Sequence, residues 1–232
     1  MRLAAQLYTV RHALDEDFDG TLAALAEAGV REVEVADLHG RSPAAMRAAL
    51  DAAGLVACST HVPLDGFEGA AEEAAALGAS TVAVPWVDAA EDVDATVERI
   101  VAASEVAAEA ELGFAYHNHD FEFRTGMWDR LVAAELPHEL DVGWAMAAGR
   151  DPVTLLGELA GRCPLVHAKD MRRRADGTWE DVIAGDGEID WPAVVAAAKA
   201  AGATHLIVEL DNPSEHPVDD VALSLATLRD AL

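Results

Sequence analysis

The feature of the sequence that most constrains the fold is a regular alternation of short apolar runs with longer segments of helical period. No linker rich in Gly, Ser or Pro interrupts this alternation. Eight strand–helix units in series predict an α/β fold, a single (β/α)8 TIM barrel, with residues 1–232 forming one domain. The predicted strands are 3–9, 32–36, 55–61, 80–86, 112–119, 138–143, 165–170 and 204–210, and the predicted helices are 18–28, 43–53, 67–78, 90–111, 127–135, 152–161, 191–201 and 217–231.

A doubly wound open sheet is the alternative for such an alternation. That fold usually has a glycine-rich phosphate turn after its first strand, whereas the segment QLYTVRHALDED contains no glycine. Several helical segments end at a glycine, as a left-handed stop requires. Asp190, which precedes Trp191 and Pro192, is a predicted N-cap. These boundaries favour the barrel.

Charge and cysteine content exclude several classes of partner. The 16 Lys and Arg against 42 Asp and Glu give a net charge of −26, which disfavours nucleic acid and anionic membranes. No apolar run reaches the ~18 residues of a membrane span. The 2 cysteines form no CxxC motif, and the first residues lack the apolar core and cleavage site of a signal peptide. We therefore expect a cytoplasmic protein with a small-molecule substrate.

Polar residues accumulate where the late strands end, which is the catalytic face of a TIM barrel. Alternation places His117 and His119 on one face of the fifth strand, and His167 and Lys169 on one face of the seventh. If these faces point inward, four side chains converge, namely His117, Asp141, His167 and Glu209. Two imidazoles and two carboxylates suit Mn²⁺, Co²⁺, Zn²⁺ or Fe²⁺ better than Mg²⁺.

Structural readings stand beside these functional ones. His138 and His205 lie at strand starts and are expected to be structural, and Lys169 with Glu209 could be a plain salt bridge. The arginines 172–174 could grip an anionic substrate group or belong to a solvated loop. The turn GDGEIDW (185–191) could bind a hydroxyl or phosphate through its backbone N–H groups, or simply cap a helix.

Seven segments in series carry a family resemblance over essentially the whole chain: QLYTVR, STHVP, YHNHDFEF, LDVGWA, VHAKD, GDGEIDW and VELD. The chain resembles the xylose isomerase-like TIM-barrel family, and within it the sugar phosphate isomerase/epimerase branch. That branch includes ketose 3-epimerases, hydroxypyruvate isomerase and inosose dehydratase. The resemblance implies one divalent metal, commonly Mn²⁺, held at the positions of His117, Asp141, His167 and Glu209.

Two positions depart from the family pattern. The fifth strand has H-N-H where relatives often have E-N-H, so His117 replaces one of the two glutamates that the 3-epimerases use. Trp144 stands where many relatives have histidine. Endonuclease IV, which belongs to the same superfamily, needs histidines for its three-zinc site where Trp86 and Trp144 stand, so these residues and the net charge argue against a DNA-repair function.

The expected reaction is isomerisation or epimerisation of a sugar, sugar phosphate or inositol derivative by proton transfer beside a metal-chelated carbonyl. Glu209 is the expected base, with Lys169 and His119 as proton donors. Dehydration and non-catalytic carbohydrate binding are the alternatives. An apolar rim around Trp86 and Trp128 favours a homodimer. The expected substrate-binding residues are Tyr8, Arg11, His61, Trp86, Asn118 and Trp144.

Overall fold

A computed structural model describes residues 1–88 and 92–232, so the start of the helix predicted over 90–111 lies outside the described residues. Eight parallel strands close into a barrel in the order β1-β10-β7-β6-β5-β4-β3-β2, which confirms the predicted (β/α)8 fold. The barrel strands are β1 (Arg2–Gln6), β2 (Glu32–Val35), β3 (Val56–His61), β4 (Thr81–Val84), β5 (Gly113–His117), β6 (His138–Asp141), β7 (Leu165–Ala168) and β10 (His205–Val208).

Helices surround the barrel and begin and end close to the predicted residues. The Asp190 side chain accepts a hydrogen bond from Ala193 N (3.1 Å), as an N-cap does. None of the helices in the described ranges is long and apolar enough to cross a membrane. The helices are α1 (Arg11–Glu16), α2 (Phe18–Glu27), α3 (Pro43–Ala53), α4 (Phe67–Leu77), α5 (Val93–Glu109), α6 (Phe121–Thr125), α7 (Met127–Ala133), α8 (Val142–Ala147), α9 (Pro152–Glu158), α10 (Trp191–Ala201) and α11 (Pro217–Ala231), with a 3-10 turn at Leu7–Val10.

Alternation along each strand divides the core into two layers. Outward side chains such as Val33, Leu140 and Val166 pack against the helices. A separate apolar cluster fills the middle of the barrel with mostly small side chains. It consists of Ala4, Cys58, Ala83, Ala115, Leu165 and Ile207. The titratable residues at the strand ends therefore stand on an apolar floor.

Several features differ from the sequence expectations. The short helices α1, α6 and α8 were not predicted, and α8 begins inside the strand predicted over 138–143. An antiparallel hairpin, β8 (Asp170–Arg173) and β9 (Trp179–Val182), follows β7 and was not predicted, because its strands are only four residues long and lack an apolar face. Trp128 was expected on an apolar rim but is only 1% exposed. Its ring packs 4.6 Å from that of Phe123 and 5.0 Å from that of His138, which removes it from any dimer contact.

Candidate active site

Four buried side chains from four neighbouring strands meet at the C-terminal mouth of the barrel. We call them the outer group: His117, Asp141, His167 and Glu209. One ligand atom from each lies within 4.8 Å of the others. His167 Nδ1 is 2.9 Å from Glu209 Oε2, and His117 Nε2 is 3.9 Å from Asp141 Oδ2. The residues expected from the sequence to converge do converge.

Local sequence explains how the fifth and sixth strands present these groups. Tyr116, next to His117, points outward, and its hydroxyl donates to Glu122 Oε1 (2.9 Å). Asp141 ends β6 and begins α8, where its Oδ1 accepts from Trp144 N (2.8 Å). Its Oδ2 is buried and has no hydrogen-bond partner among the described residues. Capping thus fixes one oxygen of Asp141 and leaves the other for the site.

Lys169 is 1% exposed and contacts three carboxylates. Its Nζ lies 2.8 Å from Asp211, 3.0 Å from Glu209 and 3.4 Å from Asp141. Burial alone would lower the pKa of Lys169, but Glu209, Asp141 and Asp211 raise it above its ordinary value. The ammonium group is therefore suited to stabilise negative charge, and it holds its proton tightly.

Glu209 is an ionised carboxylate in this setting. Burial would raise its pKa, but the charges of Lys169 and His167 and the hydrogen bond from His167 hold it well below its usual range. Asp211 is the opposite case, because burial and the negative charges of Glu209 and Asp141 outweigh Lys169 and raise the pKa of its carboxyl. From the segment VELD, only Glu209 was expected in the site. Asp211 is two residues further on, in the same segment.

His119 and Trp144 stand beside the outer group. Their rings are 5.6 Å apart, and Lys169 Nζ lies 5.0 Å from the Trp144 ring. His119 Nδ1 and Trp144 Nε1 are buried without hydrogen-bond partners in the described ranges. Burial and the charges of His117 and Lys169 lower the pKa of His119 to about 2, so its ring is neutral. A neutral imidazole relays a proton but does not start as a charged acid.

Asn118 differs from the expectation that it binds substrate. It is fully buried, and its Oδ1 accepts from Asp141 N (3.0 Å) while its Nδ2 lies 3.4 Å from Asp141 O. As the neighbour of His117 it faces away from the barrel centre. Its amide therefore joins the ends of β5 and β6 and orients Asp141.

His61 was also expected to contact substrate, and the structure places its partly buried side chain in a second cluster. We call Glu34, His61 and Glu139 the inner group. His61 Nε2 lies 3.1 Å from Glu34 Oε2 and 3.0 Å from Glu139 Oε2. Burial would lower the pKa of His61, but the two carboxylates raise it to about 10. Sequence reasoning missed both glutamates, although Glu139 precedes Asp141 by two residues and therefore shares its inward face.

The remaining expected contacts lie at the rim. Tyr8 is 41% exposed and Trp86 is 56% exposed. The Arg11 guanidinium stacks 4.0 Å from the Tyr8 ring centroid, and its Nη2 donates to Asp211 O (2.9 Å). Arg11 and Tyr8 thus border the mouth on the side of Lys169. Trp86 adjoins a groove with Pro63 and Arg99.

The backbone N–H groups of the turn 185–191 are largely used in hydrogen bonds within the chain. The buried Asp170 accepts hydrogen bonds from Gly185 N (2.7 Å), Gly187 N (3.3 Å) and Ile189 N (3.2 Å). Trp191 Nε1 donates to the same carboxylate (3.0 Å). The hypothesis of phosphate binding at these N–H groups is therefore wrong, because a carboxylate of the chain already occupies them.

The arginines 172–174 lie on the exposed hairpin. Arg172 and Arg174 both pair with Glu180, at 2.8 and 2.9 Å. His138 and His205 are structural, as expected from their positions at strand starts. His138 Nδ1 contacts Leu136 O (2.8 Å), and His205 Nε2 contacts Glu32 Oε2 (2.9 Å).

Solved structures share this barrel over nearly the full chain. A sugar phosphate isomerase/epimerase from Parabacteroides distasonis ATCC 8503 is 22% identical, with a TM-score of 0.81 over 97% of this chain and 92% of its own. The IolI protein, solved with a bound zinc atom, is 16% identical, with a TM-score of 0.75 over 100% and 98%. The probable 3-DHS dehydratase AsbF from Bacillus anthracis is 14% identical, with a TM-score of 0.76 over 99% of both chains.

At these identities the structural similarity shows the fold alone. No curated protein matches the chain. A family profile does match, that of the xylose isomerase-like TIM barrel, over residues 22–231. The match includes β2 to β10 and therefore every residue of the outer and inner groups. The chain belongs to the xylose isomerase-like TIM-barrel family.

Proposed function

We propose that this protein is a divalent-metal-dependent isomerase or epimerase of a small sugar, sugar phosphate or inositol derivative. The outer group carries the proposal, because four donor atoms from four rigid strands meet beside a buried lysine at the mouth of the barrel. Membership of the family and neighbours of the isomerase/epimerase kind support the same class. We propose that the enzyme acts in the cytoplasm.

The outer group fits a divalent ion by its chemistry. His117, Asp141, His167 and Glu209 supply two imidazoles and two carboxylates. Asp141 Oδ2 is buried, lies 3.4 Å from Lys169 Nζ and has no hydrogen-bond partner among the described residues, so it can offer a lone pair to the ion. Mn²⁺ is the ion we propose, and Zn²⁺, which the IolI structure contains, suits the same donors. When bound, such an ion supplies a Lewis acid that draws charge from a substrate carbonyl.

Glu209 is the proposed base. Its ionised state is the form that can accept a proton from the carbon next to the carbonyl. Lys169, 3.0 Å from Glu209, faces the same space and is placed to stabilise the negative charge that develops on the substrate oxygen. His119, neutral and with a free Nδ1, is the proposed proton relay.

We assign substrate orientation to groups around the mouth. Tyr8 and Arg11 offer a hydroxyl and a guanidinium for polar substituents. The indole of Trp144 offers an apolar wall beside His119, and its buried Nε1 is a free donor for a substrate hydroxyl. Trp86 belongs to this set only if a bound substrate extends toward the loop after β4.

A dehydratase is the second candidate, and the position of His117 favours it. Epimerases of this family use two glutamates, whereas here a single outer glutamate stands beside an ammonium group. One carboxylate base, beside a cation that stabilises the negative charge of the intermediate, suits elimination of water next to a carbonyl. The similarity of the barrel to AsbF is compatible with this alternative.

Solvent-deuterium exchange tests the proposal. The chain, loaded with Mn²⁺, is incubated in D₂O with a panel of keto sugars, their phosphates and inosose, and the products are followed by NMR. We expect deuterium at the carbon next to the carbonyl, and loss of this exchange in Glu209→Gln. Loss of water from the product would identify the dehydratase. Sugar binding without exchange would contradict both reactions and support a carbohydrate-binding barrel.

A further inference from the structure

The inner group has the composition and geometry of a second cation site. Glu34, His61 and Glu139 come from three strands, and both carboxylates are fully buried. One oxygen of each lies close to His61 Nε2, at 3.1 Å for Glu34 and 3.0 Å for Glu139. These contacts bring one imidazole and two carboxylates together at one point, as the side chains around a single ion are brought together.

Two imidazoles separate the inner group from the outer group. His167 Nδ1 faces Glu209 (2.9 Å), while its Nε2 faces Glu34 (2.7 Å). His117 Nδ1 faces Glu139 (3.2 Å), while its Nε2 faces Asp141 (3.9 Å). An ion on the outward nitrogens would therefore leave each inward nitrogen to donate to an inner carboxylate, as ligating histidines usually do.

These hydrogen bonds do not satisfy the inner carboxylates. Gln6 Nε2 donates to Glu34 Oε2 (2.7 Å). Together with the contacts from His167 and His117, these hydrogen bonds all reach the Oε2 atoms of the two glutamates. Glu34 Oε1 and Glu139 Oε1 are buried without a hydrogen-bond partner among the described residues. Buried carboxylate oxygens without partners are costly.

We propose that the inner group binds a second divalent cation, with Glu34, His61 and Glu139 as its ligands. Two carboxylates and one imidazole suit Zn²⁺, Mn²⁺ or Fe²⁺. The inference rests on the proposed function in one respect, since the outer group is taken to hold the first ion. The second ion neutralises two carboxylates and fixes the acceptors to which His117 and His167 donate. It acts on the orientation of these ligands, and the substrate contacts only the outer site.

Metal stoichiometry tests this proposal without any assay of turnover. The full chain is stripped with a chelator, and calorimetric titration with Zn²⁺ and with Mn²⁺ is combined with elemental analysis after gel filtration. We expect two equivalents per chain. Glu139→Gln should bind one equivalent, and His61→Gln, which keeps a polar side chain, should do the same. Asp141→Asn should also fall to one, by losing the outer ion.

Glu32→Gln is the matched control, because this glutamate lies at the opposite end of the barrel interior and should leave two equivalents. Circular dichroism verifies that each variant is folded. One equivalent in the unmodified chain, kept in Glu139→Gln and lost in Asp141→Asn, would overturn the second site and leave the proposed function intact. The opposite pattern is also informative. If the unmodified chain binds one equivalent, and this ion is lost in Glu139→Gln and His61→Gln but kept in Asp141→Asn, the two-ion arrangement and the outer site of the proposed function are both overturned.

Discussion

The two ends of the barrel interior both contain titratable residues, but among the described residues they differ in whether the carboxylate oxygens have hydrogen-bond partners. At the N-terminal end, donor atoms of Glu32, Cys58 and His205 lie within 4.8 Å of one another, as those of the outer group do. Each is already engaged. Glu32 contacts Arg2 (3.0 Å) and His205 (2.9 Å), and the Cys58 thiol donates to Val33 O (3.3 Å).

The difference teaches how to distinguish a site from a structural cluster. Burial and the negative charge of Glu34 raise the pKa of Cys58 to about 12, so its sulfur stays a thiol and a weak ligand. At the C-terminal end, Glu34 Oε1 and Glu139 Oε1 are buried without hydrogen-bond partners in the described ranges. Unpartnered lone pairs, more than the number of titratable residues, mark the end that is built for a ligand.

The largest effects on turnover and stability are expected when the buried lysine at the C-terminal end is replaced. In Lys169→Met, turnover should fall by ~10²–10⁴-fold, because charge on the substrate would lose its stabilising ammonium group. The free energy of unfolding of the metal-free chain should fall by ~3–5 kcal/mol, since Glu209 and Asp141 would lose their buried partner. Steady-state kinetics and denaturant unfolding measure the two effects.

The chain offers a matched control for that substitution. Lys199 is exposed on α10, where its Nζ donates to Leu232 O, and Lys199→Met should change neither quantity. Elemental analysis should find the outer ion retained in Lys169→Met. Turnover equal to that of the unmodified chain would rule out a role for Lys169 in the reaction.

Glu122 can be compared with the unpartnered carboxylates, because it is also buried near the mouth but each of its oxygens accepts a hydrogen bond. It accepts from the Tyr116 hydroxyl (2.9 Å) and from His119 N (2.8 Å). Burial raises its pKa from 4.5 to about 7. The folded chain therefore binds this proton more tightly than the unfolded chain, and its contribution to stability is present at low pH and lost as pH rises to about 7.

We expect Glu122→Gln to remove this component. Across that pH interval, the free energy of unfolding of the unmodified chain should fall relative to that of the variant by an amount on the order of 3 kcal/mol. Urea unfolding at a series of pH values measures the difference between the two curves. Parallel curves would show that Glu122 titrates alike in the folded and unfolded chains.

The smallest effect is expected at the N-terminal end of the barrel. In Glu32→Gln the amide can still contact Arg2 or His205, and the Arg2 side chain is mostly exposed. The free energy of unfolding should change by less than ~1 kcal/mol, and turnover should not change. Thermal unfolding and kinetics check both expectations. A marked loss of activity would mean that the N-terminal cluster communicates with the mouth.

The sequence predicted the barrel and the outer group because both depend on periodicity. Alternation fixes the inward position of His117 and His167 once the strands are recognised. Alternation predicted the role of Asn118 less well, because a polar residue beside a site can form a hydrogen bond either to substrate or to the backbone of the next strand. Only packing decides between these partners.

Glu34 and Glu139 were missed for a different reason. Sequence reasoning looked for polar residues at the last position of each strand, and Glu139 lies one inward position earlier on β6. In the segment EVEVA, Glu32 and Glu34 lie on the same face of the strand, so alternation alone does not distinguish them. Glu32 pairs with Arg2, whereas Glu34 lies beneath the site. The hydrogen-bond partners that separate them come from distant parts of the chain.

The anchoring of the hairpin by Asp170 has a consequence for how new specificities could arise on this scaffold. One carboxylate binds the backbone at Gly185, Gly187 and Ile189, so it ties the start of the hairpin to the turn that follows it. A side chain at Gly187 would collide with that carboxylate. The segment between these two anchors is mostly exposed and contributes no barrel strand. It is therefore a module whose length and sequence can diverge, or be exchanged by design, while the strand ends that hold the chemistry stay in register.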